Sequence, residues 1–163
     1  MDYLWTPWRF QYLKSELGKG DCVFCKILED SPAKDVEHFV LAHGPRSFLI
    51  LNRFPYTAGH LMVVPRRHIP TLNDSEPGEL EEVMSWARRC EAALREVYAP
   101  EGFNVGFNIG SCAGAGVAGH LHLHIVPRWT GDANLVSVIG QTRTIPEELE
   151  TTFHKLRPLL QNR

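Results

Sequence analysis

The sequence predicts an α+β domain: one antiparallel sheet with helices packed against it. Three observations predict this. Five short, apolar, β-prone segments are separated by turns or by a single helical stretch. One long segment repeats apolar residues at helical spacing, and a capping box opens a second such segment near the end. Strands joined by short connections pair antiparallel, and an amphipathic helix buries its stripe on a sheet face.

The elements follow in order. Met1 to Gly20 is an aromatic N-terminal arm carrying Trp5, Pro7, Trp8, Phe10, Tyr12 and Leu13, which must bury itself against its own subunit or a partner. Cys22-Val23-Phe24-Cys25 comes next, then a polar turn at Asp30-Ser31-Pro32. Phe39 to Ala42, Ser47 to Asn52 and His60 to Pro65 read as strands, the third stopped by its proline. Asn52 to Gly59 reads as the loop between the second and third. Ser75 is a candidate cap for a helix running to about Tyr98, with Pro77, Glu76, Glu79, Glu81 and Glu82 at its start. Leu80, Val83, Met84, Ala87, Cys90, Leu94 and Val97 form its core stripe. Phe103 to Ile109 alternates like a half-buried strand, Gly110 to Gly119 is a Gly/Ala loop, and His120 to Pro127 is a strand of period two. Thr144-Ile145-Pro146-Glu147 is the capping box, and its helix carries Leu149, Phe153, Leu156 and Leu160.

Composition narrows the function classes. A chain of 163 residues with 44% hydrophobic and 22% charged content suits one soluble domain spanning 1–163. The net charge of -2 provides no basic excess, so neither polymeric nucleic acid nor a membrane surface is an expected partner. No apolar run approaches the roughly 20 residues of a membrane span. Met1-Asp2-Tyr3-Leu4-Trp5 lacks the pattern of a signal peptide, so the expected location is cytoplasmic. In that reducing compartment, a Cys-x-x-Cys pair reads as a metal or redox site rather than a disulfide.

The chemistry concentrates in His120-Leu121-His122-Leu123-His124. Alternation on a strand sends all three imidazoles to one face. Packing alone explains one such histidine but poorly explains three. Two functional readings compete: a histidine metal site, or a nucleophilic histidine oriented by its neighbours. The preceding loop, Gly110 to Gly119, favours the second. Its small residues let backbone N–H groups approach an anion, and a phosphate beside a nucleophilic histidine makes a phosphoryl- or nucleotidyl-transfer site.

With His120-Leu121-His122-Leu123-His124-Ile125-Val126 on the page, the sequence resembles the histidine triad, or HIT, superfamily, whose motif alternates three histidines with apolar residues. Asn52, Gly59 to Pro65, Asn108 and Pro127-Arg128 also look like family positions, so the resemblance covers a core of about 21–129. The arm 1–20 precedes it, and a C-terminal extension with its helix, 130–163, follows. Leu4 to Arg9 and Trp129 to Asn134 resemble the bacterial branch containing diadenosine tetraphosphate phosphorylases and hydrolases. The resemblance implies a HIT-like fold, with a five-stranded antiparallel sheet, a long helix and a C-terminal helix, in a homodimer.

The same resemblance implies a reaction. His122 attacks an α-phosphorus of an adenosine nucleotide or dinucleotide to form a nucleotidyl-histidine. His124 contacts the phosphate or leaving oxygen, and His120 orients the strand or binds metal. Asn52 holds the ribose, Asn108 lies near the phosphates, and Gly114, Ala115, Gly116 and Val117 bind the α-phosphate through backbone N–H groups. The expected activity is diadenosine polyphosphate hydrolysis or phosphorolysis. The alternatives are a Hint-type nucleoside phosphoramidate hydrolase and a nucleotide-binding regulatory module with little turnover. One departure stands out: many relatives carry Gln, Ser or Thr where this chain has Gly116 and Val117, which puts leaving-group assistance in question.

Cys22 and Cys25 alone leave redox, coincidence and metal open, and a metal needs two further ligands from among His38, His43, His60, His68, His120 and His154. Zinc-bearing members of the superfamily imply Cys22, Cys25, His68 and His120. Four such ligands make a closed, structural zinc site.

Overall fold

The computed structural model describes residues 22–132 and 147–161. The aromatic arm, and Thr144 to Pro146 of the capping box, lie outside the described residues. Five strands form one sheet: β1 (Val40–His43), β2 (Ser47–Leu51), β3 (Leu61–Pro65), β4 (Gly102–Phe107) and β5 (Leu123–Arg128). Four α-helices accompany it: α1 (Val23–Glu29), α2 (Asp35–His38), α3 (Glu79–Tyr98) and α4 (Leu149–Gln161). The sheet order is β1-β2-β3-β5-β4, and every neighbouring pair is antiparallel. The α+β class and the five-stranded sheet are therefore as the sequence predicts. No described helix is long and apolar enough to cross a membrane.

Both faces of the sheet are covered. Leu49 and Leu51 of β2, Leu61 and Val63 of β3, and Leu123 and Ile125 of β5 meet α3 and α4 in the larger core. Phe48, Ile50, Met62 and Val64 point to the other face, where Phe24 of α1 covers them. Double coverage explains why β2 and β3 are buried along their whole length and read as unbroken apolar runs. β4 is different: among the described residues it pairs only with β5, and Val105 is 49% exposed.

Two element starts differ most from expectation, and β4 ends at Phe107 rather than Ile109. The fifth strand starts at Leu123, not His120. The amide of His120 is taken by Val117 O and that of Leu121 by Ile69 O at 2.6 Å, so loops rather than a neighbouring strand hold the start of the triad. The long helix starts at Glu79, because Gly78 adopts φ 85° in front of it. Ser75 ends the preceding turn instead, donating its hydroxyl to Leu72 O. Within the stripe, Met84 is 52% exposed and Trp86 is buried in its place.

Candidate active site

Register places His124 on the α1 face of the sheet, and His120 and His122, which precede β5, meet Phe24 of α1 on that side. Met62 of that face pairs with His124, while Leu123 and Ile125 point to the opposite core. His120, His122 and His124 are all buried. The His122 ring packs against two others: its centroid is 4.8 Å from His124 and 5.3 Å from Phe24.

Backbone carbonyls set two tautomers, since a carbonyl can only accept. His122 Nδ1 donates to His120 O at 2.7 Å. The lone pair of a neutral His122 is therefore on Nε2, the arrangement a nucleophile needs. His120 Nε2 donates to Pro65 O at 2.8 Å, which leaves its Nδ1 lone pair for the cysteines. Burial holds both rings below the ordinary histidine value, so both are neutral near pH 7.

A relay sets the third. The Tyr56 amide donates to His60 Nδ1 at 3.1 Å. His60 must then carry its proton on Nε2, which donates to His124 Nδ1 at 3.0 Å. The proton of neutral His124 consequently sits on Nε2. His124 can therefore donate to an oxygen, while His122 can attack.

The glycine loop is already shaped. Gly110 and Gly114 hold positive φ around the turn Ser111–Ala113, which a residue with a Cβ would strain. Gly114 N donates to Ser111 O and Ala115 N to Gly110 O. Among the described residues, the Gly116 and Val117 amides make no hydrogen bond to the protein. The Val117 side chain packs into the apolar cluster beneath α1. Asn108 is half-buried at the mouth of this loop. Asn52 stands by the relay, with Nδ2 3.3 Å from His60 Nδ1 and Oδ1 accepting from Phe54 N.

Cys22, Cys25, His68 and His120 converge, their ligand atoms all within 4.8 Å of one another. Cys22 Sγ is 3.2 Å from His120 Nδ1, and Cys25 Sγ is 3.3 Å from His68 Nδ1. Burial and the neighbouring Cys22 sulfur push the Cys25 thiol up to about 11; a cation between the sulfurs is what would hold both as thiolates. Two thiols and two imidazoles, one with its lone pair fixed toward the sulfurs, fit a tetrahedral metal. Of the other candidate histidines, His38 and His43 engage Asp30 and Asp35.

His60, one of the six candidate ligands in the sequence, stands outside the Cys/His cluster and joins His124 instead, and neither Phe24 nor Tyr56 carries a motif of its own. Tyr56 lies 4.6 Å from the His60 ring and nearly parallel to His124 at 6.0 Å. The one signal for Tyr56 was its place in the loop after Asn52, and for Phe24 its place between the two cysteines.

The AP-4-A phosphorylase of Mycobacterium tuberculosis (strain ATCC 25618 / H37Rv) is 40% identical over 158 residues, 91% of this chain and 79% of that protein. The asymmetrical bis(5'-nucleosyl)-tetraphosphatase of Schizosaccharomyces pombe is 34% identical over 86 residues, 53% of this chain and 47% of that protein. A Zn-bound histidine triad family protein from Mycobacterium smegmatis superposes with TM-score 0.69 and 30% identity, covering 88% of this chain and 95% of that one. The HIT domain model matches residues 33–131, and with the triad set in the expected sheet, this chain belongs to the HIT domain family.

Proposed function

We propose that the protein cleaves diadenosine polyphosphates through a nucleotidyl-histidine on His122. The observation that carries this reading is the 2.7 Å bond from His122 Nδ1 to His120 O, which leaves the Nε2 lone pair of the ring free to attack. The named activities of the M. tuberculosis and S. pombe relatives support the substrate class.

The steps follow from the tautomers. His122 Nε2 attacks the α-phosphorus, and the bond from that phosphorus to the bridging oxygen breaks. AMP remains on His122, and the rest of the substrate leaves as a nucleotide. His124 Nε2–H donates to the phosphate or the departing oxygen. The Gly116 and Val117 amides, with Gly114 and Ala115 shaping the loop, take up negative charge as it develops. Val117 is apolar and packed away, so leaving-group assistance falls to His124. Asn52 holds the ribose and Asn108 lies near the phosphates. A second acceptor then takes AMP from His122: water yields AMP, and inorganic phosphate yields ADP.

Zinc held by Cys22, Cys25, His68 and His120 would supply a structural clamp. The Zn-bound M. smegmatis neighbour supports the choice of metal. The reading also places the enzyme in the cytoplasm as a homodimer joined through the face that holds α3 and β4. The exposed Val105 on β4 supports that surface, and sedimentation velocity checks the dimer.

Incubation with diadenosine tetraphosphate, with and without phosphate, tests the reading. ATP and ADP formed only with phosphate indicate a phosphorylase; ATP and AMP indicate a hydrolase. His122→Ala should abolish turnover and the covalent adduct while nucleotide still binds. Turnover that survives this substitution overturns the mechanism.

A further inference from the structure

We infer that Phe24, carried between the two metal-site cysteines, is a positioning residue for His122, and that it links the metal site to the nucleophile. This rests on the reading of His122 as the nucleophile and of the Cys/His cluster as a metal site.

Three observations converge on Phe24. It is buried, and its ring touches both histidines, at 5.4 Å from His120 with an interplanar angle of 76° and 5.3 Å from His122 at 54°. It is seated on the sheet by Phe48 at 6.4 Å and by the cluster of Val40, Ile50, Met62 and Val64. Finally, it lies in the first turn of α1, a helix of seven residues whose cap residue is Cys22.

The physical consequence concerns rotation of the His122 ring. The hydrogen bond to His120 O fixes one edge, but a ring held at one atom can still tilt about it. His124 and Phe24 both pack against the ring, so contact limits that tilt and sets the direction of the Nε2 lone pair. A helix of two turns does not hold its shape alone. α1 therefore depends on its apolar contacts and on the clamp at Cys22 and Cys25. Whatever fixes those cysteines fixes Phe24, and through Phe24 the side of the nucleophile. This path is separate from the one through the His120 backbone.

The test compares wild type with Phe24→Ala and Phe24→Leu, each as full-length protein and each assayed for zinc content. The first readout is the His122 imidazole signals in nitrogen-correlated NMR, with and without a zinc chelator. It needs no substrate, so it stands even if the proposed activity fails. The second is the rate of adduct formation on diadenosine tetraphosphate. An absence of adduct in the wild type counts against the proposed function and leaves the NMR comparison intact.

We expect both variants to keep one zinc per chain. In Phe24→Ala the His122 signals should shift or broaden, and adduct formation should slow about tenfold or more, with a smaller effect on KM than on kcat. Chelation should perturb the His122 signals more in wild type than in Phe24→Ala, the non-additivity expected of coupled positions. Phe24→Leu, which keeps the cluster filled, should fall between them and provides the readout if Phe24→Ala does not fold. Wild-type signals and rate in both variants overturn the proposal. So does a Phe24→Ala protein that has lost zinc and recovers fully when zinc is added, since Phe24 would then act only on the metal site.

Discussion

His60 decides which nitrogen of His124 carries the proton. The Tyr56 amide engages His60 Nδ1, and His60 Nε2 engages His124 Nδ1. Without His60, nothing in that chain of bonds keeps the His124 proton on Nε2, and a neutral ring divides between two tautomers. General acid–base groups typically contribute about 10²–10⁴ in rate, and losing the orientation of one sacrifices part of that. His60→Ala should therefore lower kcat on diadenosine tetraphosphate by about tenfold to a hundredfold, with little change in the affinity measured for a non-reacting nucleotide. A matching loss of affinity would instead make His60 a binding residue. The sequence showed His60 only as a histidine after Gly59 at the start of a strand. Its partner is 64 residues away in the chain, so no local pattern could join them. The triad was readable for the opposite reason: its alternation is a local pattern, although only His124 lies within β5 and loop contacts hold His120.

At the scale of the element, periodicity located every described strand and both long helices, because burial on a sheet repeats every two residues and on a helix every 3.6. It failed where long-range contacts decide. The start of α3 is one case. Buried Glu79 accepts from Arg67 Nε at 2.8 Å and from the Glu76 amide at 2.7 Å. The Arg67 guanidinium holds the Glu79 carboxyl below its ordinary value of 4.5, outweighing the opposing effect of burial. A depressed folded value stabilises the protein above the unfolded value of about 4.5. That stability is lost as the pH falls through the folded value. Removing the guanidinium leaves a buried carboxylate with only a backbone donor. Arg67 is 43% exposed, so solvent screens part of its attraction for Glu79. Arg67→Met should still lower stability in urea melts at pH 7. The difference should shrink as the pH is taken below 4.5 and Glu79 protonates in both proteins. A pH-independent deficit would mean that Arg67 contributes by packing alone.

For the whole molecule, the Cys/His cluster is a long-range tie. Cys22 and His120 stand 98 residues apart in sequence and 3.2 Å apart in space. The short α1 helix touches the sheet through one small cluster, whereas α3 and α4 share the larger core. The segment carrying Cys22 and Cys25 therefore depends on the tie more than the rest of the chain does. Zinc that binds the folded form stabilises it by RT ln(1 + [L]/Kd), about 2.7 kcal/mol at a hundredfold excess over Kd. In a chain of this size, each kcal/mol shifts Tm by roughly 2–4 °C. A chelator should thus lower Tm by about 5–10 °C, and added zinc should restore it. The loss should be uneven. Amide exchange should accelerate first in α1 and around His68, while β2, β3 and α3, buried in the larger core, keep their protection. In Cys25→Ser, three of the four ligands remain, so zinc should bind more weakly and the chelator should matter less. A uniform rise in exchange across the sheet would show instead that the metal supports the whole fold. If the chelator leaves Tm unchanged in protein shown to contain zinc, the ion does not stabilise this fold, and the clamp proposed for Cys22, Cys25, His68 and His120 fails.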